Sequence, residues 1–153
     1  MATYETSLSS TAGLIVGPGY TRQVVCATAI VTLATAMTDN ANDDVGLFRV
    51  PKGAVIVGGT ISATDMDSST GLAIDVGDAG AEARLFAAST VGQAATLSSA
   101  LAPAGHLYKY TAETQIRAYI QTAVSGTAAS GTLKVSLLYF VDEEFSTTAL
   151  TAA

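Results

Sequence analysis

Hydrophobic and polar positions along the chain form a series of β-type patterns. Arg22 to Met37 is dense in Val, Ile, Thr and Ala, which suits a pleated, half-buried surface. It predicts a strand with two apolar faces, one carrying Val25, Val31 and Leu33 and the other Val24, Cys26 and Ile30. Asp44 to Val50 is a short strand stopped by Pro51, which has no N–H for a ladder. A Pro51-Lys52-Gly53 turn leads into Ala54 to Thr64, with Val55, Val57, Ile61 and Ala63 expected on one face. Leu72, Ile74 and Val76 alternate with Ala73, Asp75 and Gly77, a period of two. His106 to Tyr110 and Thr114 to Ala123 make the next pair. In the second, Ile116, Ala118 and Ile120 oppose Gln115, Arg117, Tyr119 and Gln121. Thr132 to Asp142 closes the series, and only Ala81 to Ala88 reads as a short helix.

No strand–helix–strand alternation is present, so a parallel α/β sheet is not expected. Short strands at turn spacings of roughly ten residues predict an all-β fold, an antiparallel β-sandwich of jelly-roll-like type. The organisation read from the pattern is an extended N-terminal arm over 1–21, a sandwich domain over 22–145 and a C-terminal tail over 146–153. In the last strand Leu133, Val135, Leu137, Tyr139 and Val141 make one apolar face. On the other, Lys134 and Ser136 give way to Leu138 and Phe140, where a water-facing strand would keep alternating. Leu138 and Phe140 therefore need cover, from a loop, an arm or another subunit. They are candidate interface residues, with Arg22 at the start of the first strand.

Charge narrows the function classes. The 153-residue chain is 49% hydrophobic but only 13% charged, with net charge −6, against about 25% charged in ordinary soluble proteins. Its seven Lys and Arg are too few for the counterion release that drives general nucleic-acid binding, or for polybasic adhesion to a membrane. Ala, Thr, Ser and Gly take the place of charge, in runs such as Ser125 to Gly131 and Ala94 to Ala100. Such small side chains lose little entropy on contact, so the surface suits packing against copies or partners. The single cysteine, Cys26, excludes an intrachain disulfide and a Cys/His zinc pattern, and its apolar neighbours predict a buried, inert thiol. No basic-then-apolar secretory signal opens the chain. The longest apolar stretch, Val24 to Met37, is interrupted by Thr28, Thr32 and Thr35 and is too short to span a bilayer. These features predict a soluble chain made in a cytoplasm without Sec-type export.

Candidate chemistry is sparse. His106 is the only histidine, no Gly-x-Ser-x-Gly elbow is present, and pairing His106 with Cys26 would require a buried thiol to meet a turn residue. No phosphate-cradling glycine loop exists. Asp65-Met66-Asp67-Ser68-Ser69-Thr70-Gly71 resembles the start of a calcium loop, although its glycine is one place late and the twelfth position is Val76. Asp75, Asp78 and Glu82 lie near it in sequence, and Asp39 to Asp44 is a second polar run suited to a turn. Tyr108, Tyr110 and Tyr119 on adjacent strands could form a surface patch for a sugar or a subunit, without any Trp. The reading is of a non-enzymatic protein with no catalytic residue, metal or cofactor assigned.

Three stretches together resemble the head decoration, or capsid cement, proteins of tailed bacteriophages. They are Val50-Pro51-Lys52-Gly53-Ala54-Val55-Ile56, Leu72-Ala73-Ile74-Asp75-Val76-Gly77-Asp78, and a Thr127 to Gly131 hairpin feeding Leu133-Lys134-Val135-Ser136-Leu137-Leu138-Tyr139. The likeness covers Val45 to Val141 and is one of pattern and composition. It implies a β-sandwich body on the outside of the expanded capsid, commonly a homotrimer, that clamps neighbouring major capsid subunits. It carries no catalytic residues over to this chain. The alternative expectation is a tail or fibre component contacting host glycans through the tyrosines.

Overall fold

The computed structural model describes residues 23–142, and their strands build two four-stranded antiparallel sheets. In chain order these are β1 (Val25–Leu33), β2 (Asp44–Val50), β3 (Ala54–Ala63), β4 (Ala73–Asp78), β5 (Ala81–Ser89), β6 (Leu97–Ser98), β7 (Thr114–Thr122) and β8 (Gly131–Val141). One four-residue helix, α1 (Thr35–Thr38), and short 3₁₀ turns at Val91–Gln93 and Pro103–Gly105 complete the regular structure. The sheets run β1-β8-β3-β6 and β2-β7-β4-β5. Chain neighbours thus often sit in opposite sheets, and the two interleaved Greek keys make a jelly-roll sandwich. The terminal arm and tail expected over 1–21 and 146–153 lie outside the described residues.

The core lies between the sheets. Leu133, Val135 and Leu137 of β8, Ile56 and Ile61 of β3, and Leu33 of β1 meet Ile116 and Ile120 of β7, Ile74 and Val76 of β4, and Phe86 of β5. Each such side chain taken fully out of water contributes about 1.5–3 kcal/mol. Gly53 makes the predicted turn possible. It sits at φ +85°, and a Cβ there would lie 2.8 Å from the Asp142 carbonyl oxygen.

Four expectations change. The first strand ends at Leu33 rather than Met37, because α1 carries the chain across to the second sheet. Ala81 to Ala88 is strand, not helix, paired along β4. Its helix-forming Ala, Glu, Arg and Leu yield to the ladder and to burial of Leu85 and Phe86. His106 to Tyr110 is not a strand: His106 and Leu107 turn, and the rest joins β3 only through a bridge between Val55 and Lys109 and a few backbone bonds. In β3 the register slips between Ile56 and Gly58, so the face expected from Val55, Val57, Ile61 and Ala63 does not form. Ile56 and Ile61 both point inward, and the bulged Val57 is turned out to solvent.

Candidate functional site

The outer face of the β1-β8-β3-β6 sheet collects the exposed apolar groups. Register places Cys26 opposite Leu138, Thr28 opposite Ser136 and Ile30 opposite Lys134. On the other side of β8, Gly58 lies opposite Leu138 and Val55 opposite Phe140, while β6 sets Leu97 against Ser62. Because side chains alternate across a strand, these residues share one surface. Ile30 is 66% exposed, Leu97 67% and Leu138 40%, while Val24 and Val57 are exposed beside them. At the border Leu107 is 71% exposed and held at φ +55° by the bond from its N–H to the Ile56 carbonyl. Hydroxyls fill the gaps: Thr28 Oγ1 and Ser136 Oγ are 2.9 Å apart across the β1–β8 ladder.

Charge divides the two sheets. The strands of β1-β8-β3-β6 carry a single Asp, Glu, Lys or Arg, Lys134, whereas those of β2-β7-β4-β5 carry seven. In the second sheet most of the charges are partnered. Arg117 Nε donates to Asp44, Arg49 Nη1 lies 2.8 Å from Glu113 Oε1, and Arg84 Nε lies 2.6 Å from Asp78 Oδ2. The strands of one sheet are therefore almost without charge, and those of the other are salt-bridged.

The sequence-predicted residues scatter. Leu138 is on the apolar face and Phe140 is half-buried beside it. Arg22 lies outside the described residues. Cys26, expected to be buried, is exposed, because its side of β1 is the uncovered one, and its thiol meets Thr28 Oγ1 at 3.7 Å. The tyrosines do not form an exposed patch. Tyr110 is 3% exposed, in the core, with its hydroxyl donating to Asp78 Oδ2 at 3.2 Å. Burial and the nearby Asp78 charge push its phenol well above the usual range. Tyr108 packs edge-on against it at 4.9 Å, with the Arg84 guanidinium 3.8 Å over the Tyr108 ring. Tyr119, expected on a wet face, is buried on the second sheet, where its register neighbours are Asp44 and Asp75.

The acidic loops are structural clasps. Asp67 is 2% exposed, and its carboxylate accepts N–H bonds from Ser69 (2.9 Å), Gly71 (2.8 Å), Leu72 (2.8 Å) and Gly126 (3.2 Å). Both oxygens are committed to the backbone, so the calcium-loop reading of Asp65 to Gly71 gives way to a clasp between two loops. Asp78 bonds Gly80, Ala81, Arg84 and Tyr110, and Asp75 accepts the Ala88 N–H at 2.6 Å. No group of three or more His, Cys, Asp or Glu among the described residues is placed to hold a metal. His106 is exposed at the end of the Pro103–Gly105 turn. A shallow groove by β5 and β6 is lined by Ala87, Ser89, Thr90, Thr96 and Ser98, without an acid or base.

Val57, Leu97 and Leu107 are the face residues that sequence reasoning missed. Leu97, a lone large apolar side chain within a run of small exposed residues, was the available signal. Val57 had none, since the bulge that turns it outward depends on pairing with β8.

Neither a family model nor a curated protein sequence matches the chain. Among solved structures it is similar to a chain of the "Cyanophage Pam1 capsid asymmetric unit", with 31% identity and a TM-score of 0.67 over 86% of this chain and 95% of that one. It is also similar to a chain of the "Capsid of Ralstonia phage GP4", with 26% identity and a TM-score of 0.66 over 80% and 86%. A chain of the "Acidic stable capsid structure of Helicobacter pylori bacteriophage KHP30", at 17% identity and a TM-score of 0.50 over 79% and 94%, shares the fold. With nearly a third of its residues identical across almost the whole Cyanophage Pam1 chain, the protein belongs to a family of bacteriophage capsid-related structural proteins.

Proposed function

We propose that the protein is a decoration, or cement, component of the virion. It binds the outer surface of a phage capsid and stabilises contacts between major capsid subunits, with the low-charge face of β1-β8-β3-β6 as its contact surface. The observation that carries this is the division of the molecule. The exposed large hydrophobic side chains among the described residues all lie on or border one sheet, and that sheet's strands carry one charge. A freely diffusing protein tends to keep such faces charged and broken up. One whose partner is an ordered shell gains from a preformed apolar face, and many modest contacts repeated over the shell sum to strong binding. Binding only the expanded shell stabilises it by mass action. A homotrimer is the arrangement in which the protein is expected to decorate, with Leu138 and Phe140 on the face it turns to the shell.

The test mixes the purified protein with expanded capsids of its own phage that lack it. Co-sedimentation and a raised capsid melting temperature are the expected results, and light scattering should give a native mass near three times 15.4 kDa. Failure of the protein to bind such capsids would sink the proposal.

A further inference from the structure

The four sheet edges are guarded unequally. β2 carries Arg49 and Asp44 and a register slip between Gly46 and Phe48. β5 carries Glu82 and Arg84, pairs irregularly with β4, and has its Leu85 carbonyl taken by the Ala102 N–H. β6 is two residues long. β1 has none of these defences. It runs nine residues without charge, proline or glycine, holds unbroken register with β8 from Val25 to Leu33, and has no described strand along its other side. Val25, Cys26, Thr28, Ile30 and Thr32 along it are exposed. In an antiparallel pair about half of such a strand's N–H and C=O groups point away from the partner. Long, flat, uncharged edges are normally blunted because they invite another strand.

We infer that the β1 edge takes an extended, uncharged segment of a neighbouring chain of the capsid shell as an added strand. The chemistry selects the segment. Main-chain groups supply the bonds, and side chains on one side of the segment would continue the surface of Val24, Cys26 and Ile30, so alternate positions must be apolar. β1 has no charged residue to pair with, so a charge in the segment would lose water without compensation. A second copy docked rigidly edge to edge is the weaker occupant. A strand edge about 30 Å long and 10 Å thick offers about 300 Å², against about 800 Å² per partner in a stable interface. A segment tethered in the shell gains the missing affinity from effective concentration.

This inference rests on the capsid-decorating reading, and hydrogen exchange separates the two. Amides of β1 are followed in the free protein and in the protein bound to its expanded capsids, with β2 as the internal control. Alternate β1 amides should exchange fast when free and slow about tenfold or more when bound, while β2 stays unchanged. The exposed substitution Thr28→Lys should weaken capsid binding without lowering the melting temperature. Failure of the wild-type protein to bind capsids overturns both readings. Binding without β1 protection overturns the added strand alone. Protection that is already present in the free protein and grows with its concentration assigns the edge to a second copy, and overturns it too.

Discussion

Asp67 is surrounded by backbone donors, and this decides how it responds to acid. Burial would raise its pKa, but the N–H groups of Leu72, Ser69, Gly71 and Ser125 outweigh that and hold it below the ordinary value of 3.8. A carboxyl depressed in the folded state contributes stability that is complete above its unfolded pKa and is lost as pH falls through the folded one. Melting temperature should therefore be insensitive to this group above about pH 5 and fall below pH 3.8, toward the lowered native value. Asp67→Asn should melt lower at neutral pH and lose that acid-dependent part, because one amide oxygen cannot serve the donors that two carboxylate oxygens hold. A melting series of both proteins against pH checks this. A smaller effect is expected at Tyr110→Phe. It removes the hydroxyl bond to Asp78 but leaves the Arg84 pair, and should cost about 1 kcal/mol in denaturant unfolding.

At the level of elements, β8 is where the two faces of the molecule can be compared directly. Leu137 points into the core with no exposure, and its neighbour Leu138 points out at 40%. Leu137→Ala should cost about 2–5 kcal/mol, whereas Leu138→Ser should change stability by less than about 0.5 kcal/mol. Only the second should reduce capsid binding with the fold intact, as read by chemical unfolding beside co-sedimentation. The turn between β2 and β3 is equally specific. Gly53→Ala places a side chain at φ +85° and against the Asp142 carbonyl, and should destabilise by about 1–3 kcal/mol. Element identity was legible where pattern and burial agreed, as in β2, β7 and the inward row of β8. It was not legible in β5, where local helix propensity pointed one way and pairing with β4 the other.

The whole molecule is organised by the separation of its charge from its exposed apolar surface. Contacts made through a face with one charged residue are little screened, since salt acts on charges and not on buried apolar area. Capsid binding should therefore change only slightly between low and high salt. Co-sedimentation across a salt series tests this, and a steep loss of binding at high salt would point to the charged sheet instead. The candidate face was half visible in the sequence. Leu138 and Phe140 broke the alternation of their strand, while Cys26 and Ile30 looked like a second buried side of the first strand.

The sequence by itself determined the all-β class, the positions of six of the eight described strands (all but β5 and β6) and the inward row of β8. These follow from local periodicity, turn residues and the scarcity of charge, all of which act within a few residues of the chain. Only the tertiary structure decided which apolar positions stay in water. That choice depends on which strands pair, on the bulge that turns Val57 outward while keeping Ile56 and Ile61 inside, and on whether a second layer lies over a face. The sites of Cys26, Tyr110 and Asp67 were likewise set by long-range packing. Burial is a property of what folds over a residue, and those neighbours come from parts of the chain remote in sequence.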